Sequence, residues 1–423
     1  MTVDAYAFYG ASWMRRVVAQ NVPALTLQPR IFTNTESVDR VEISNTKMAR
    51  LDQFVFEGLK DVGSIVLDRV DVGSIQSYAF SGIHFRRDGR RPTSGLGTRR
   101  PKNDEFDAES GRRHGGTARK RQRHVETGLL NISSCHVGVL STDAFRDANL
   151  AYIVLSRTDV DRLEKHAFRA VTGLRSLRIV DCRLESTIGA ERFSSLRGLR
   201  SLHLVRLANT RVVDSFAFRG TTGIDEILIH FRSGDVTLRT EAFAHVSDVG
   251  TLELRGSSGG STDPESRTTS LAIDVGAFRN LVGVERMRIV NFRLPTLRRH
   301  SFSGLSRVGN LTIADCSVSD IQREAFGEMA GHVGAIGLLD LGVGNQLRCD
   351  CGTASGAAAL RRELAQRFRD YRAVCRVENA ANGRVGYVDV RQVAAATCSS
   401  GSTLRTVPLS VMLSVLLMLA VYR

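Results

Sequence analysis

A phenylalanine recurs along the chain at a nearly constant interval, usually directly after a small or aliphatic residue. Nine of the eleven intervals span 23 to 25 residues; the other two, 65 and 35, equal an interval of 24 plus an insertion of 41 or 11 residues. The recurring residues are Phe8, Phe32, Phe56, Phe80, Phe145, Phe168, Phe193, Phe218, Phe243, Phe278, Phe302 and Phe326. Such a period is typical of a repeat protein, in which one unit buries its apolar face only against its neighbours.

Each interval contains the same apolar pattern. In the unit that ends at Phe168, the apolar positions are Leu150, Ile153, Leu155, Val160 and Leu163. The leading L-x-x-L-x-L predicts a β-strand with one buried face, because side chains alternate between the two faces of a strand. Length alone would suggest two or three domains for 423 residues, but the repeat predicts that most of the chain is one solenoid.

The pattern resembles the leucine-rich repeat in its extracellular, 24-residue form. The resemblance covers residues 1–340 apart from two insertions. It implies an α/β solenoid, a leucine-rich-repeat horseshoe of about twelve coils with a parallel sheet on its concave side. The sequence resembles cell-surface members such as connectin, chaoptin and the Nogo receptor, which implies cell adhesion or ligand recognition.

The family usually places asparagine or cysteine three residues after the strand, where the side chain bonds to the backbone of the next coil. Here this slot holds Thr46, Val70, Cys135, Thr158, Cys182, Phe292 and Cys316. Because the asparagine ladder is missing, we expect some coils to satisfy their backbone groups differently and to be less regular. The three cysteines of the slot belong to different coils, so we expect buried thiols and no disulfide among them.

Four further cysteines follow the last repeat, and they resemble the cysteine-rich C-terminal cap of extracellular leucine-rich-repeat proteins. The resemblance implies the disulfides Cys349–Cys375 and Cys351–Cys398, and hence an oxidising compartment. A zinc site is the alternative, but zinc sites usually use paired C-x2-C knuckles and this C-x-C spacing fits poorly. Between the cysteines, helical spacing predicts one apolar helix face, formed by Leu360, Leu364, Phe368 and Tyr371.

The two ends of the sequence point to different compartments. Residues 407–421 are an apolar run of 15 residues that contains Pro408, whereas a membrane span needs about 20. Small residues precede the run at Ser399, Ser400 and Gly401, which resembles a glycosylphosphatidylinositol (GPI) attachment signal; a short single-pass anchor is the alternative. The N-terminus shows no signal-peptide pattern, so we expect that a signal peptide and a first cap have been lost. A cytoplasmic protein is the alternative.

Much of the formal net charge of +14 lies in one insertion. Residues 86–124 contain 11 Arg and 2 Lys against 5 Asp and Glu, a net charge of +8, and the segment 84–124 is predicted to be disordered. The segment is interpreted as a basic arm for glycosaminoglycan, acidic lipid or nucleic acid, as a protease-sensitive loop at Arg119–Arg121, or as translated non-coding sequence. Nucleic acid is disfavoured, because the stretch offers one aromatic residue for stacking. A second insertion, 255–270, is a polar surface loop.

No catalytic, metal or cofactor motif stands out, since the sequence contains no H-E-x-x-H, G-x-S-x-G or Walker pattern. We therefore predict a binding protein without enzymatic activity or cofactor. Sequons predict N-glycosylation at Asn131 and Asn310. The binding face is predicted from the residue that each L-x-L triplet directs out of the concave sheet: Glu42, Val66, Asn131, Val154, Arg178, His203, Leu228, Glu253, Arg288 and Thr312.

The predicted organisation has five parts. Repeats occupy 1–83 and 125–340, separated by the basic insertion 84–124 and followed by a cap at 341–398 and an anchor signal at 399–423. A mean hydropathy of −0.10 excludes a polytopic membrane protein. We expect a protein on the outer face of the plasma membrane, held by a lipid anchor, whose partner is a protein ligand, a receptor or a second copy of the chain. The alternatives are an immune pattern-recognition protein or co-receptor, and an intracellular scaffold that holds nucleic acid through the basic insertion.

Overall fold

The structure is a computed structural model that describes residues 1–86, 128–232, 234–257, 268–327, 336–341, 345–348, 361–365, 368, 370–378 and 385–392. These residues form a parallel β-solenoid of about 11 turns, which confirms the leucine-rich-repeat solenoid predicted from the phenylalanine interval. The expected number of coils was slightly larger, about twelve. Almost no helix accompanies the strands: in the described part, helical residues are confined to 361–365 and to a 3-10 turn at Val390–Gln392.

Twenty-eight strands account for most of the regular structure. In chain order they are β1 (Thr2–Val3), β2 (Arg16–Gln20), β3 (Thr26–Leu27), β4 (Thr35–Glu36), β5 (Arg40–Met48), β6 (Leu59–Val62), β7 (Ser64–Ile75), β8 (His84–Phe85), β9 (Leu129–Ser133), β10 (His136–Leu140), β11 (Tyr152–Ser156), β12 (Asp159–Leu163), β13 (Ser176–Val180), β14 (Thr187–Ile188), β15 (Ser201–Leu207), β16 (Val212–Val213), β17 (Thr222–Phe231), β18 (Asp235–Leu238), β19 (Ser247–Arg255), β20 (Ser270–Ile273), β21 (Leu281–Val290), β22 (Arg293–Leu294), β23 (Leu305–Ala314), β24 (Ser317–Val318), β25 (Ile336–Leu341), β26 (Gln346–Arg348), β27 (Asp370–Glu378) and β28 (Val385–Asp389).

One face of the solenoid is a continuous parallel sheet, called here the long sheet. It contains β2, β5, β7, β9, β11, β13, β15, β17, β19, β21, β23, β25 and β27, each hydrogen-bonded to the next. The short strands that follow each long-sheet strand, from β10 to β26, form a second parallel ladder. In each turn, the segment after the long-sheet strand therefore forms a short strand, whereas the α/β class usually has a helix on that side of the solenoid.

The recurring phenylalanines form a single stack through the core. Each ring lies nearly parallel to the ring of the next turn, with centroids 5.1–5.8 Å apart and interplanar angles of 2–21° from Phe8 to Phe326. From Phe32 onward the rings are fully buried, whereas Phe8 in the first turn is half-buried. The constant interval thus reflects one ring per turn. The rings can stack because strands of consecutive turns lie only about 4.8 Å apart.

The corners of each turn have positive φ angles, which L-residues rarely adopt. In the turn that contains Phe56, Asn45, Phe54 and Gly58 have φ of 49°, 58° and 83°, and equivalent residues recur in other turns. Gly58 is required at its corner, because a Cβ there would lie 3.0 Å from the Thr33 Cα of the preceding turn. These tight corners allow the chain to close a turn in about 24 residues without helices.

Backbone groups at the slot after the long-sheet strand are satisfied without asparagine, as expected, but the coils are more regular than expected. Thr46 Oγ1 accepts a bond from the Val22 amide (3.4 Å), and Cys135 Sγ accepts one from the Val70 amide (3.3 Å). Cys316 Sγ accepts likewise from Phe292 (3.4 Å). Hydroxyl and thiol groups replace the asparagine, and they bond to the preceding turn, where the next turn was expected.

The C-terminal end of the stack is covered. The Phe368 ring stands edge-on to Phe326, with centroids 5.4 Å apart and an interplanar angle of 82°, and Leu364 beside it is completely buried. The strand β27 adds the last parallel rung and then pairs antiparallel with β28. Tyr371 therefore lies in a strand, opposite Leu339, and not on the predicted helix face, because its backbone extends the long sheet.

Candidate functional site

The candidate binding residues share one row on the long sheet. Glu42 pairs in register with Val66, Val66 with Asn131, and so on through Val154, Arg178, His203, Leu228, Glu253, Arg288 and Thr312. Their neighbours on each strand point into the core, as the alternation of a strand requires. The sequence therefore located the row correctly in space, while the part it plays in binding stays a prediction.

The two ends of this row carry carboxylates that are already neutralised. Glu42 Oε2 accepts bonds from Arg16 (2.9 Å) and Arg40 (3.0 Å). Partial burial alone would raise the pKa of Glu42, but the two guanidinium groups lower it below its usual value. Toward the other end, the buried Glu253 accepts bonds from Arg255 (2.6 Å) and Arg288 (2.9 Å). These groups form internal ion-pair clusters on the face.

The middle of the row differs in chemistry. The strands β9 and β11 direct only uncharged side chains outward: Leu129, Asn131, Ser133, Tyr152, Val154 and Ser156. Arg178 follows and is exposed, and His203 comes next, with its Nε2 2.7 Å from Glu226 Oε2. This uncharged stretch beside an arginine is the part of the face best suited to contact a partner with both apolar and charged groups.

A titratable histidine lies beside the row. Burial lowers the pKa of His230 below its usual value, and the nearby Arg255 and Arg206 lower it further. His230 therefore stays neutral at physiological pH and contributes no positive charge to this part of the sheet.

Sequence reasoning missed a second outward row on the same sheet. It lies two residues before the first row and includes Arg16, Arg40, Tyr152, Glu226 and Arg286. Because side chains alternate along a strand, the residue two positions before each member of the first row also points outward. This alternation could have identified the second row from the sequence. Sequence reasoning also missed Asn345, whose Oδ1 accepts a bond from the Cys316 amide.

The three cysteines of the slot are free and buried, as predicted. Burial raises the pKa of Cys135 and Cys182 to about 11 and that of Cys316 to about 12, so all three are protonated at neutral pH. Asn345 continues the same ladder: its Oδ1 accepts a bond from the Cys316 amide (2.8 Å), and its Nδ2 donates to the Ile313 carbonyl. The turn before it is lengthened, which hid this asparagine from the period.

The cysteines of the predicted cap lie outside the described residues, except for the backbone of Cys375 in β27. The disulfides Cys349–Cys375 and Cys351–Cys398 therefore stay predictions. The same holds for the lipid-attachment residues Ser399, Ser400 and Gly401 and for the tail 407–421. Within the described part of the chain, no helix combines the length and hydropathy needed to span a bilayer.

The two predicted glycosylation sites both lie on the long sheet. Asn131 is half-buried in the middle of the candidate row, and Asn310 is exposed on the second outward row. A glycan on either residue would project from the binding face and occupy part of it. Glycosylation of these residues stays a prediction.

The insertions leave the solenoid at corners. Residues 87–127, which include most of the basic insertion 84–124, lie outside the described residues. At its base Arg86 donates to Asp39 (3.1 Å) and Asp61 (3.1 Å), and the Gly128 amide donates to Gly63 (2.9 Å), so the solenoid resumes in register. The smaller insertion follows β19; its residues 258–267 also lie outside the description, and Ser257 and Thr269 bond to each other at its base (2.9 Å).

Nothing in the described part of the chain shows catalytic activity. No group of three or more His, Cys, Asp or Glu side chains in this part of the chain is arranged to hold a metal ion. His166 Nδ1 lies 2.9 Å from Ser194 Oγ, but Ser194 is buried and also donates to the Glu191 carbonyl. This arrangement fixes a corner and presents no accessible nucleophile.

A leucine-rich-repeat family model matches two stretches of the chain. Six copies of the family described as BspA type leucine rich repeat region match residues 1–87 and 136–258. No curated protein matches the chain. Solved structures that match include a chain of an octameric complex of Latrophilin 3, Unc5D and FLRT2 (LRR), at 13% identity and a TM-score of 0.43, covering 86% of this chain and 90% of that one. A chain of the Toll–Spatzle complex of Drosophila matches at 13% identity and a TM-score of 0.22, covering 80% of this chain and 51% of that one.

The family match and the fold agree on one architecture. Leucine-rich-repeat proteins of this kind mediate protein–protein interactions. The similarity to connectin, chaoptin and the Nogo receptor stays a prediction of the sequence. Residues 1–87 and 136–258 match the model of BspA-type leucine-rich repeats, and the chain folds as a leucine-rich-repeat solenoid.

Proposed function

We propose that this chain is a cell-surface recognition protein that binds a protein partner, for adhesion or ligand recognition, through the outward rows of its long sheet. The observation that carries the proposal is the register of these rows, which present side chains of consecutive turns on one continuous surface. A rigid scaffold keeps the entropic cost of ordering such a surface on binding small.

The chemistry of the rows favours a protein over a polyanion. Apolar side chains such as Val154 and Leu228 alternate with Arg178, with the His203–Glu226 pair and with the neutralised Glu253 cluster. A polyanion is recognised best by an uninterrupted stripe of cationic groups, whereas a mixed face complements another folded or extended protein.

The proposed location rests on the sequence outside the described residues. The four cap cysteines favour an oxidising compartment, and the small residues before the terminal apolar run favour a GPI anchor. Treatment of intact cells with a phosphatidylinositol-specific phospholipase is expected to release the protein into the medium. Retention on the cells after complete digestion would contradict the lipid anchor, without bearing on the binding face.

The binding face is tested by paired charge substitutions. The purified chain is screened against a panel of cell-surface ectodomains and against itself, and every binder is measured again with the double variant Arg178→Asp and Leu228→Asp. We expect binding to fall at least about a hundredfold, because a charge is reversed and another is placed on an apolar contact. Thermal stability should stay unchanged, since both side chains point away from the core.

A matched control lies off the long sheet. Arg211 and Val275 are both exposed, on the side of the second ladder and on a turn respectively. The double variant Arg211→Asp and Val275→Asp makes the same change in charge and should bind like the unaltered protein. Equal losses in both variants would place the effect elsewhere than the long sheet and would refute the proposal.

A further inference from the structure

Four arginines gather on two consecutive turns at one rim of the long sheet. Arg175 and Arg200 directly precede β13 and β15, and the Arg200 amide donates to the Arg175 carbonyl (2.7 Å), so the two residues are in register. Arg178 lies on β13 and Arg197 three residues before Arg200. All four side chains are exposed. We call this group the basic rim.

Most arginines elsewhere on the sheet are neutralised by a carboxylate of the same or a neighbouring strand. Arg16 and Arg40 share Glu42, and Arg255 and Arg288 share Glu253. Within the described part of the chain, Arg178, Arg197 and Arg200 have no such carboxylate. In the register of the sheet, Arg178 stands between Val154 and His203. Arg178, Arg197 and Arg200 therefore place positive charge without a carboxylate partner at this rim, whereas most arginines elsewhere on the sheet are paired.

The groups on the two sides of the basic rim differ in polarity. On one side lies the uncharged pair Tyr152 and Val154 of β11. On the other side, Asp225 and Glu226 border the rim in the next turn, and Glu226 is engaged by His203 at 2.7 Å. A ligand on this surface therefore meets apolar, then cationic, then anionic groups along about 15 Å of sheet, since strands are spaced about 4.8 Å apart.

We propose that the basic rim binds an acidic, extended segment of a protein partner, with carboxylates on Arg178 and Arg200 and an apolar side chain on Tyr152 and Val154. The inference rests on the proposed function, because it names the kind of partner that the long sheet recognises. Guanidinium groups bind carboxylates through two parallel hydrogen bonds, which gives direction as well as affinity. Unpaired cations on adjacent turns repel each other, so an incoming carboxylate also relieves that repulsion.

The geometry sets the pattern of the segment. Arg178 and Arg200 lie one turn apart, and Val154 lies one turn from Arg178 on the other side. Two turns span about 10 Å, and Arg200 is also offset by three residues along the strand direction, so the diagonal from Val154 to Arg200 is about 14 Å, the reach of about four extended residues. We therefore expect an apolar residue followed within three or four positions by one or two acidic residues.

The test uses a displayed library of random 12-residue peptides, panned on the intact purified chain. We expect enriched peptides to combine acidic and apolar residues, and their affinity to fall as salt is raised. In the double variant Arg178→Glu and Arg200→Glu, binding of a labelled enriched peptide should fall at least about tenfold in fluorescence polarisation. The double variant Arg211→Glu and Arg293→Glu, with the same change in charge off the long sheet, should bind normally.

The outcomes separate this inference from the proposed function. Peptides that are lost with Leu228→Asp but unaffected by the Arg178→Glu and Arg200→Glu variant would overturn the acidic segment and leave the long sheet as the binding face. Enriched peptides that ignore every long-sheet variant, or a library without enrichment, would count against both. Retention on a heparin column that depends on Arg178 and Arg200, without any enriched acidic peptide, would assign the rim to a sulfated polysaccharide and overturn the proposal.

Discussion

The two ends of the phenylalanine stack in this 423-residue chain differ in how well they are buried. At the C-terminal end, Phe368 stands edge-on to Phe326 and Leu364 is completely buried. At the other end, Phe8 contacts Phe32 on one face and is only half-buried. Five of the six large apolar side chains that the described chain exposes lie in the first turn: Met1, Tyr6, Tyr9, Trp13 and Val18.

This difference shows what a repeat gains from its neighbours. An internal turn is covered on both sides, so its ring, corner and ladder residue each have a partner in two turns. A first turn with the same residue types has partners on one side only. Equivalent substitutions at the two ends therefore measure the contribution of the neighbouring turn, with sequence context held nearly constant.

The largest difference is expected for the rings themselves. Phe218 is completely buried, with rings at 5.7 and 5.1 Å on its two sides, so Phe218→Ala should reduce the free energy of unfolding by about 3–5 kcal/mol. Phe8→Ala removes a half-buried ring with one neighbour and should cost at most about 2 kcal/mol. Urea unfolding followed by circular dichroism measures both values. Equal losses would mean that the first turn is as well covered as an internal one.

A corner glycine provides the next comparison. Gly304 has φ of 79°, and a Cβ there would lie 2.7 Å from the Arg279 Cα of the preceding turn. Gly10 occupies the equivalent corner of the first turn with φ of 69°, and a Cβ there would meet no heavy atom within 4 Å. Both alanine variants carry a cost of about 1–2 kcal/mol for the left-handed backbone. Gly304→Ala should cost about 1–3 kcal/mol more, for the close approach.

The melting temperatures of the two variants, measured against the unaltered chain, test this difference. Gly198→Ala is the control, because Gly198 has φ of 64° and nothing within 4 Å although its turn is internal. It should behave like Gly10→Ala. If Gly198→Ala matched Gly304→Ala instead, the backbone angle and not the neighbouring turn would set the cost.

The sequence predicted the parts of the fold that repeat once per turn. The phenylalanine interval gave the stack, and the L-x-L triplets gave the register of the candidate row, because both reflect one residue per turn in a fixed environment. The sequence could not show which carboxylates neutralise which arginines. Glu253 bonds to Arg288 across 35 positions, and only the stacked turns bring the two together.

Other features were hidden by the family pattern. The slot was expected to require asparagine, whereas Thr46 and Cys135 supply the same acceptor with an oxygen or a sulfur. The one asparagine of the ladder, Asn345, lies 29 residues after Cys316, outside the period. The resemblance implied an α/β solenoid, and the structure closes each turn with tight corners and short strands. Backbone geometry of this kind is not encoded in apolar spacing alone.

The ladder gives a smaller difference between the two ends. Asn345→Ala leaves the Cys316 amide and the Ile313 carbonyl buried without their partner, which should cost about 2–3 kcal/mol. Thr46→Ala removes one long bond of 3.4 Å to the half-covered Val22 amide and should cost about 1 kcal/mol or less. Hydrogen exchange resolved by residue should rise more at Cys316 than at Val22, because the bond lost at Val22 is longer and that residue is only half-buried. A larger rise in hydrogen exchange at Val22 than at Cys316 would contradict the expected order of the two effects.

The smallest effect concerns the thiols, which report how often a turn opens. Burial raises the pKa of Cys316 to about 12 from an ordinary 9.0, so at pH 8 the folded thiol carries almost no thiolate and reacts with iodoacetamide only when its turn opens. The variant Thr46→Cys places a thiol in the same slot near the uncovered end. Its peptide should be alkylated several times faster than that of Cys316, with Cys182 as the internal reference.

The same raised pKa values fix the sign of a pH effect. A thiol that keeps its proton in the folded state but loses it on unfolding makes the unfolded state bind fewer protons between pH 9 and 11. The free energy of unfolding should therefore be unaffected by these groups below pH 9 and decrease as the pH rises above it. Replacing Cys182 by Ala should remove its share of the decrease. If the free energy of unfolding of that variant depended on pH as steeply as before, the decrease would belong to other groups. In the alkylation experiment, equal rates for Thr46→Cys and Cys316 would show that the covered and uncovered ends open equally often.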